Sequence, residues 1–195
     1  MNSGKIMKLT IIVVLTLFVL LLSFKTTIFF SYYTPQQQNA VDYLNSNAAL
    51  IGNYTEAERS HLQDVQHVFT IGNIFFWILT VIIVVFLFLY RKKKRDSKTD
   101  LSEIIFNSGI TIVSAVVIIL IAIIFNFNTV FTIFHKIFFP QGNWLFPYDS
   151  LLILTFPIQF FTKMSLFIFI QALGWGILFI LISLYVRYEL SCRRN

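Results

Sequence analysis

The 195-residue sequence is short of cysteine, proline, glycine and charge: it holds one Cys, four Pro, seven Gly and three His, and 12% of its residues are charged. Cys192 has no partner for an internal disulfide, so no covalent cross-link can brace the chain. Neither a G-x-S-x-G elbow nor an H-E-x-x-H pair occurs, and there is no Gly-rich phosphate loop. Those absences remove the sequence signatures of α/β-hydrolases, zincin-type metalloproteases and P-loop nucleotide binding. Internal repeats and extended low-complexity segments are absent as well. What fills the chain is apolar: 57% hydrophobic residues, 23 Phe and a mean hydropathy of +0.76, well outside the range of an ordinary soluble domain.

Four stretches reach the roughly 20 mostly apolar residues that a helix needs to cross a bilayer, at about residues 9–30, 71–90, 104–125 and 165–186. They are continuous runs without the alternation of barrel strands, and lipid leaves backbone groups unsatisfied, so helices are expected. The expected fold is an all-α integral membrane protein, one membrane domain of four transmembrane helices carrying an extracellular cap at about residues 31–70 and an outer aromatic loop at about 126–164. The cap, at about 40 residues, is too short to hold a core of its own. The first run is long for a signal peptide and no A-x-A-like site follows promptly, so it reads as an uncleaved anchor, with Lys25 snorkelling to the outer interface.

Orientation follows from the basic residues. Lys5 and Lys8 precede the first run, Arg91, Lys92, Lys93, Lys94, Arg95 and Lys98 follow the second, and Arg187, Arg193 and Arg194 follow the fourth. Both termini and the central loop are therefore expected on the cytoplasmic side, and the formal net charge of +6 reads as a topology signal, not as a nucleic-acid footprint. Cys192 falls on that side, away from the aromatic loop.

Within the cap, Thr55-Glu56-Ala57-Glu58 has the capping-box pattern, so a helix is expected to start there and to run into the second span. At about 100° per residue it places His61, Asp64, Val65 and Val68 on one face and turns His67 away. Further on, Phe127, Phe131, Phe134 and Phe138 recur at helical spacing with His135 at the edge of their face. Turn signals at Pro140 and Gly142 then lead to Trp144, Phe146, Tyr148 and Asp149.

All three histidines lie on the expected outer side. A histidine there can serve as a general base near neutral pH, with Asp64 or Asp149 holding its tautomer. The plainer alternative is an interfacial histidine bonded to backbone or a lipid headgroup. A metal reading on His61, Asp64 and His135 is weaker, because His-x-x-Asp is no recognised zinc signature and this side has no cysteine. The aromatic residues suit interface anchoring, and equally the dry wall of an acyl-chain pocket.

Two stretches together resemble a known family. Phe134-His135-x-x-Phe138-Phe139, followed by Trp144-x-Phe146, Asp149, Leu152, Pro157 and Phe160-Phe161, is similar to the bacterial lipoprotein intramolecular transacylase family, Lit, and Glu58-Arg59-x-His61-Leu62-x-Asp64-Val65 looks like that family's other motif. The resemblance implies four transmembrane helices under an extracellular cap and a substrate that is a diacylglyceryl-modified lipoprotein in the membrane lipid. It implies transfer of the sn-2 acyl chain to the α-amine of the N-terminal cysteine, without a cofactor. Its two catalytic histidines match His61 and His135, and no role carries over to His67. From residue type alone, the aromatic loop with Phe134 and Phe138 can wall such a site, and Asn143, Lys136 or Trp144 can donate to the oxyanion. Members often carry a carboxylate shortly after the position of Pro157, where this chain has Ile158 and Gln159. The rival class is a non-enzymatic membrane accessory or lipid-binding protein with a sensing cap.

Overall fold

The computed structural model describes residues 3–91 and 97–192; the basic loop at 92–96 and the terminal Arg193 and Arg194 lie outside them. The described residues form α1 (Ser3–Phe30), α2 (Pro35–Leu44), α3 (Glu56–Arg91), α4 (Ser97–Phe138), α5 (Leu151–Thr155) and α6 (Ile158–Cys192), with no strand among them. The four long helices contain the four apolar runs. At most 28% of any run's apolar window is buried inside the protein, so their outward Ile, Leu, Val and Phe side chains need a non-aqueous surround. This is a multi-pass membrane protein.

The chain divides into two compact units. One comprises Met1–Thr26, Phe76–Leu120 and Phe167–Asn195. Its core is narrow: Val19, Ile112, Val116 and Ala172 are buried, with Phe18, Leu120 and Phe169 against them. Small residues let α4 and α6 approach, as expected in lipid, where close backbone contact replaces hydrophobic driving force. A Cβ at Gly109 would stand 2.7 Å from the backbone oxygen of Gly176, and one at Gly176 would stand 3.0 Å from Ile112 and Val113. Gly174, by contrast, faces open space. Ser102 and Ser183 exchange buried hydrogen bonds nearby, and Lys8 pairs with Asp100 at 2.9 Å and Glu103 at 2.6 Å. Because a backbone oxygen cannot step aside as a side chain can, Gly109→Ala is expected to lower stability by about 1–3 kcal/mol, and Gly174→Ala to be neutral. Thermal unfolding in detergent checks both.

The second unit comprises Thr27–Phe75 and Ile121–Leu166. Its core is built jointly by the cap and the aromatic loop: Ala40, Leu44, Tyr54 and Leu62 come from one, Leu152 and Phe156 from the other. Residues of the two segments thus share one core. Helix α3 starts where the capping box places it, with Thr55 N donating to Glu58 Oε2 at 2.7 Å and Glu58 N to Thr55 Oγ1 at 3.3 Å. Helix α2 has its own box, in which Thr34 N donates to Gln37 Oε1 and Gln37 N to Thr34 Oγ1. In α4 the helix breaks at Asn126 (φ −158°, ψ 79°), whose side-chain oxygen accepts from Thr129 N at 3.1 Å and so caps a fresh start. The break separates the apolar run from the aromatic stretch that carries His135.

Candidate active site

His61 and His135 lie together in the second unit. Residue 61 sits near the start of α3 and residue 135 near the end of α4. Their rings stack with centroids 6.1 Å apart and planes 28° from parallel, and both are buried, at 6% and 7% exposure. Burial of two polar rings side by side is not a packing convenience; apolar residues of the same volume would fill the place without desolvating four nitrogens.

Aromatic rings enclose the pair. Phe131 lies 4.0 Å from His135 by centroid, Trp144 4.9 Å, Phe134 5.4 Å and Phe139 5.5 Å. On the other side, Phe139 stands edge-on to His61 at 4.9 Å, with Phe146 at 5.7 Å. Phe139, one helical turn beyond His135 and buried, therefore touches both imidazoles. Phe138 is more exposed and lies tilted against Phe134 at 4.7 Å, so it forms an outer layer of the wall.

His135 has a determined tautomer. Its Nδ1 is 2.8 Å from the backbone oxygen of Phe131. A carbonyl oxygen only accepts, so Nδ1 carries the hydrogen and Nε2 of the neutral ring is left with its lone pair. A backbone oxygen one turn back thus does for His135 what a carboxylate was expected to do. Asp64 is engaged elsewhere: its Oδ2 accepts from Gln141 Nε2 at 2.9 Å and Asn143 Nδ2 at 2.6 Å. His61 Nδ1 is buried without a hydrogen-bond partner of regular geometry.

The loop that delivers Trp144 turns as the sequence indicates. Gly142 has φ of 79°, a conformation costly for a residue with a Cβ, and its N–H donates to the Phe139 oxygen at 3.1 Å. Asn143 then borders a cavity of about 470 Å³ lined also by Thr55, Glu58, Phe146, Asp149 and Ser150. Asp149 is exposed on that cavity, Lys136 is exposed on the last turn of α4, and His67 is exposed on α3. Among the described residues no three His, Cys, Asp or Glu side chains converge as a metal site.

Glu58 is the buried carboxylate of this unit, at 1% exposure. Besides closing the α3 box through Oε2, it accepts from Leu152 N at 2.8 Å through Oε1. One side chain thereby satisfies orphan donors at the N-termini of both α3 and α5, where a negative charge is also favoured by the helix dipoles.

The fold and site together define a class: an all-helical, multi-pass membrane protein with two stacked, buried imidazoles inside an aromatic pocket. Comparison with known proteins gives the class a family. The family model for the lipoprotein intramolecular transacylase Lit matches residues 36–161, which contain every site residue described above. The chain belongs to the Lit family. Its fold is similar to that of the membrane integral lipoprotein intramolecular transacylase Lit from Bacillus cereus, with a TM-score of 0.79 over 96% of this chain and 97% of that one at 16% identity. It is also similar to an uncharacterized protein of Aquifex aeolicus (strain VF5), 26% identical over 125 residues, or 64% of this chain and 54% of that protein. The chain spans about half the length of that curated relative.

Proposed function

We propose that this protein moves an acyl chain within a diacylglyceryl-modified lipoprotein, from the sn-2 oxygen of the glyceryl group to the α-amine of the N-terminal cysteine, leaving a lyso-form lipoprotein. The observation that carries this reading is the stacked pair of buried histidines, 6.1 Å apart, inside an aromatic enclosure within the matched family region. The outer face of the membrane is where such a substrate presents its amine, which agrees with the orientation expected from the basic residues.

The chemistry balances within one molecule. The α-ammonium, with an ordinary pKa of about 8, first gives up a proton, and one imidazole Nε2 takes it. Once that first proton has passed on to solvent, the free amine attacks the sn-2 ester carbonyl to form the C–N bond, and the imidazole takes the second proton, which the nitrogen sheds as it becomes an amide. Collapse of the tetrahedral adduct then breaks the C–O bond, and an imidazolium returns a proton to the departing glyceryl oxygen. Acyl chain, amine and ester stay in one molecule, so no co-reactant or cofactor is called for. Confinement of amine and ester in one pocket lowers the barrier by several kcal/mol, on the order of measured effective molarities. Trp144, against His135, is the better placed of the expected oxyanion donors; Lys136 points to the exposed side.

Because the reaction is an isomerisation, the intact mass of the lipopeptide does not change. The test is therefore fragmentation mass spectrometry of the N-terminal lipopeptide after the purified protein meets a diacylated lipoprotein, with amine labelling in parallel. An N-acyl, S-monoacylglyceryl fragment pattern and loss of the labelled amine are expected. If folded wild-type protein leaves the diacyl substrate unchanged, the enzyme reading falls and a non-enzymatic accessory or lipid-binding role takes its place.

A further inference from the structure

The hydrogen bonds of Asp64 fix more than the loop. An ionised carboxylate has no hydrogen to give, so the Asn143 atom 2.6 Å from Asp64 Oδ2 has to be the amide nitrogen. The side-chain oxygen of Asn143 is thereby turned the other way. There it is buried and has no hydrogen-bond partner of regular geometry, which is also the condition of His61 Nδ1. The two orphaned atoms belong to neighbouring side chains: Asp64, which holds the Asn143 amide, lies one turn after His61 on the same face of α3, and Trp144 and Phe146 of the Asn143 loop pack against the histidine pair. A buried acceptor and a buried ring nitrogen on neighbouring side chains, each lacking a partner, are complementary only if the nitrogen carries the hydrogen.

We infer that Asp64 and Asn143 are positioning residues that set the tautomer of His61: Asp64 orients the Asn143 amide, and its oxygen holds the hydrogen on Nδ1, leaving Nε2 as the proton acceptor. The two imidazoles then share one arrangement, because the Phe131 oxygen does the same for His135. Gln141, the second donor to Asp64 at 2.9 Å, anchors the carboxylate from the same loop. The kinetic half of the inference rests on the transacylase reading; the tautomer half does not.

The substitution that isolates the orientation is Asp64→Asn, which keeps shape but gives position 64 a donor as well as an acceptor. Asn143 is then free to reverse, presenting its NH₂ group to the ring and favouring the opposite tautomer. Asn143→Leu removes the acceptor outright. Nitrogen-15 NMR of histidine-labelled protein in nanodiscs reads the tautomer directly, with His67→Gln and His135→Gln identifying the signals. Wild type should show His61 with hydrogen on Nδ1 and a bare Nε2, and both variants should shift toward hydrogen on Nε2. Turnover should fall by about 10- to 100-fold in each single variant, the span of coupling within one hydrogen-bond network, and the double variant should be no worse than the poorer single.

A purely structural role would lower thermal stability and leave the tautomer of the folded fraction unchanged. That result in both variants, or hydrogen on Nε2 of His61 in wild type, overturns the inference. Should wild type prove inactive as a transacylase, the proposed function falls, yet the NMR arm still decides whether Asp64 sets the His61 tautomer.

Discussion

His135→Ala is expected to slow acyl transfer by about 10²- to 10⁴-fold, the range that a positioned general base contributes. His61→Ala is expected to cost a similar factor, and the double variant no more than the worse single, because two groups that pass one proton act as a unit. Among the described residues these are the two buried imidazoles, stacked at 6.1 Å, and His135 has its Nε2 lone pair freed by the Phe131 oxygen. His67, exposed on α3, is the internal control, and His67→Ala should leave the rate within about twofold. Either site variant also empties a packed aromatic cage, so His135→Gln, which refills most of the volume, should be as slow as His135→Ala while unfolding near the wild-type temperature. A rate that tracked stability instead would assign the ring a packing role.

The largest expected loss of stability comes from Glu58→Ala. Its carboxylate serves the backbone N–H groups of Thr55 and Leu152, and truncation leaves both donors without a partner. At about 1–3 kcal/mol for each unsatisfied buried donor, the cost is about 2–6 kcal/mol. Glu58→Gln keeps one acceptor oxygen and should lose less. Denaturant or thermal unfolding in detergent measures both, and a Glu58→Ala protein as stable as wild type would show that the two helix starts do not depend on this residue. The loss should also slow acyl transfer, because α5 and the start of α3 unravel beside His61; here the rate should follow the folded fraction.

The four spans were legible because lipid imposes a length and a composition that a single sequence displays. The α3 start was legible too, since the Thr55 to Glu58 box is a contact between residues three apart. The same chemistry at Thr34 and Gln37 starts α2, whose polar body, Gln-Gln-Gln-Asn, gave no apolar period to follow. Helix α5 is five residues long and depends on Ser150 and Glu58 for its first turn, so it has little signature of its own. What the sequence does not display is the pairing of distant segments. Glu58 with Leu152, 94 positions apart, and Asp64 with Asn143, 79 apart, have no periodicity that announces them. For that reason Asp64 was expected on an imidazole and is found on two amides. Phe139 was visible as part of the aromatic run, one turn after His135, but its contact with both rings requires α3 and α4 to be placed together.

A crossover experiment tests the central claim most directly. Two diacylated lipopeptides are mixed with the purified protein, one with heavy isotope in its acyl chains and one with heavy isotope in its peptide, and the N-acylated products are fragmented in the mass spectrometer. Intramolecular transfer by the histidine pair predicts each acyl chain on the amine of its own peptide, with no crossed product, and N-acylation slowed by about 10²- to 10⁴-fold in the His61→Ala and His135→Ala proteins. Crossed products from wild type, or undiminished N-acylation in the two variants, would contradict it.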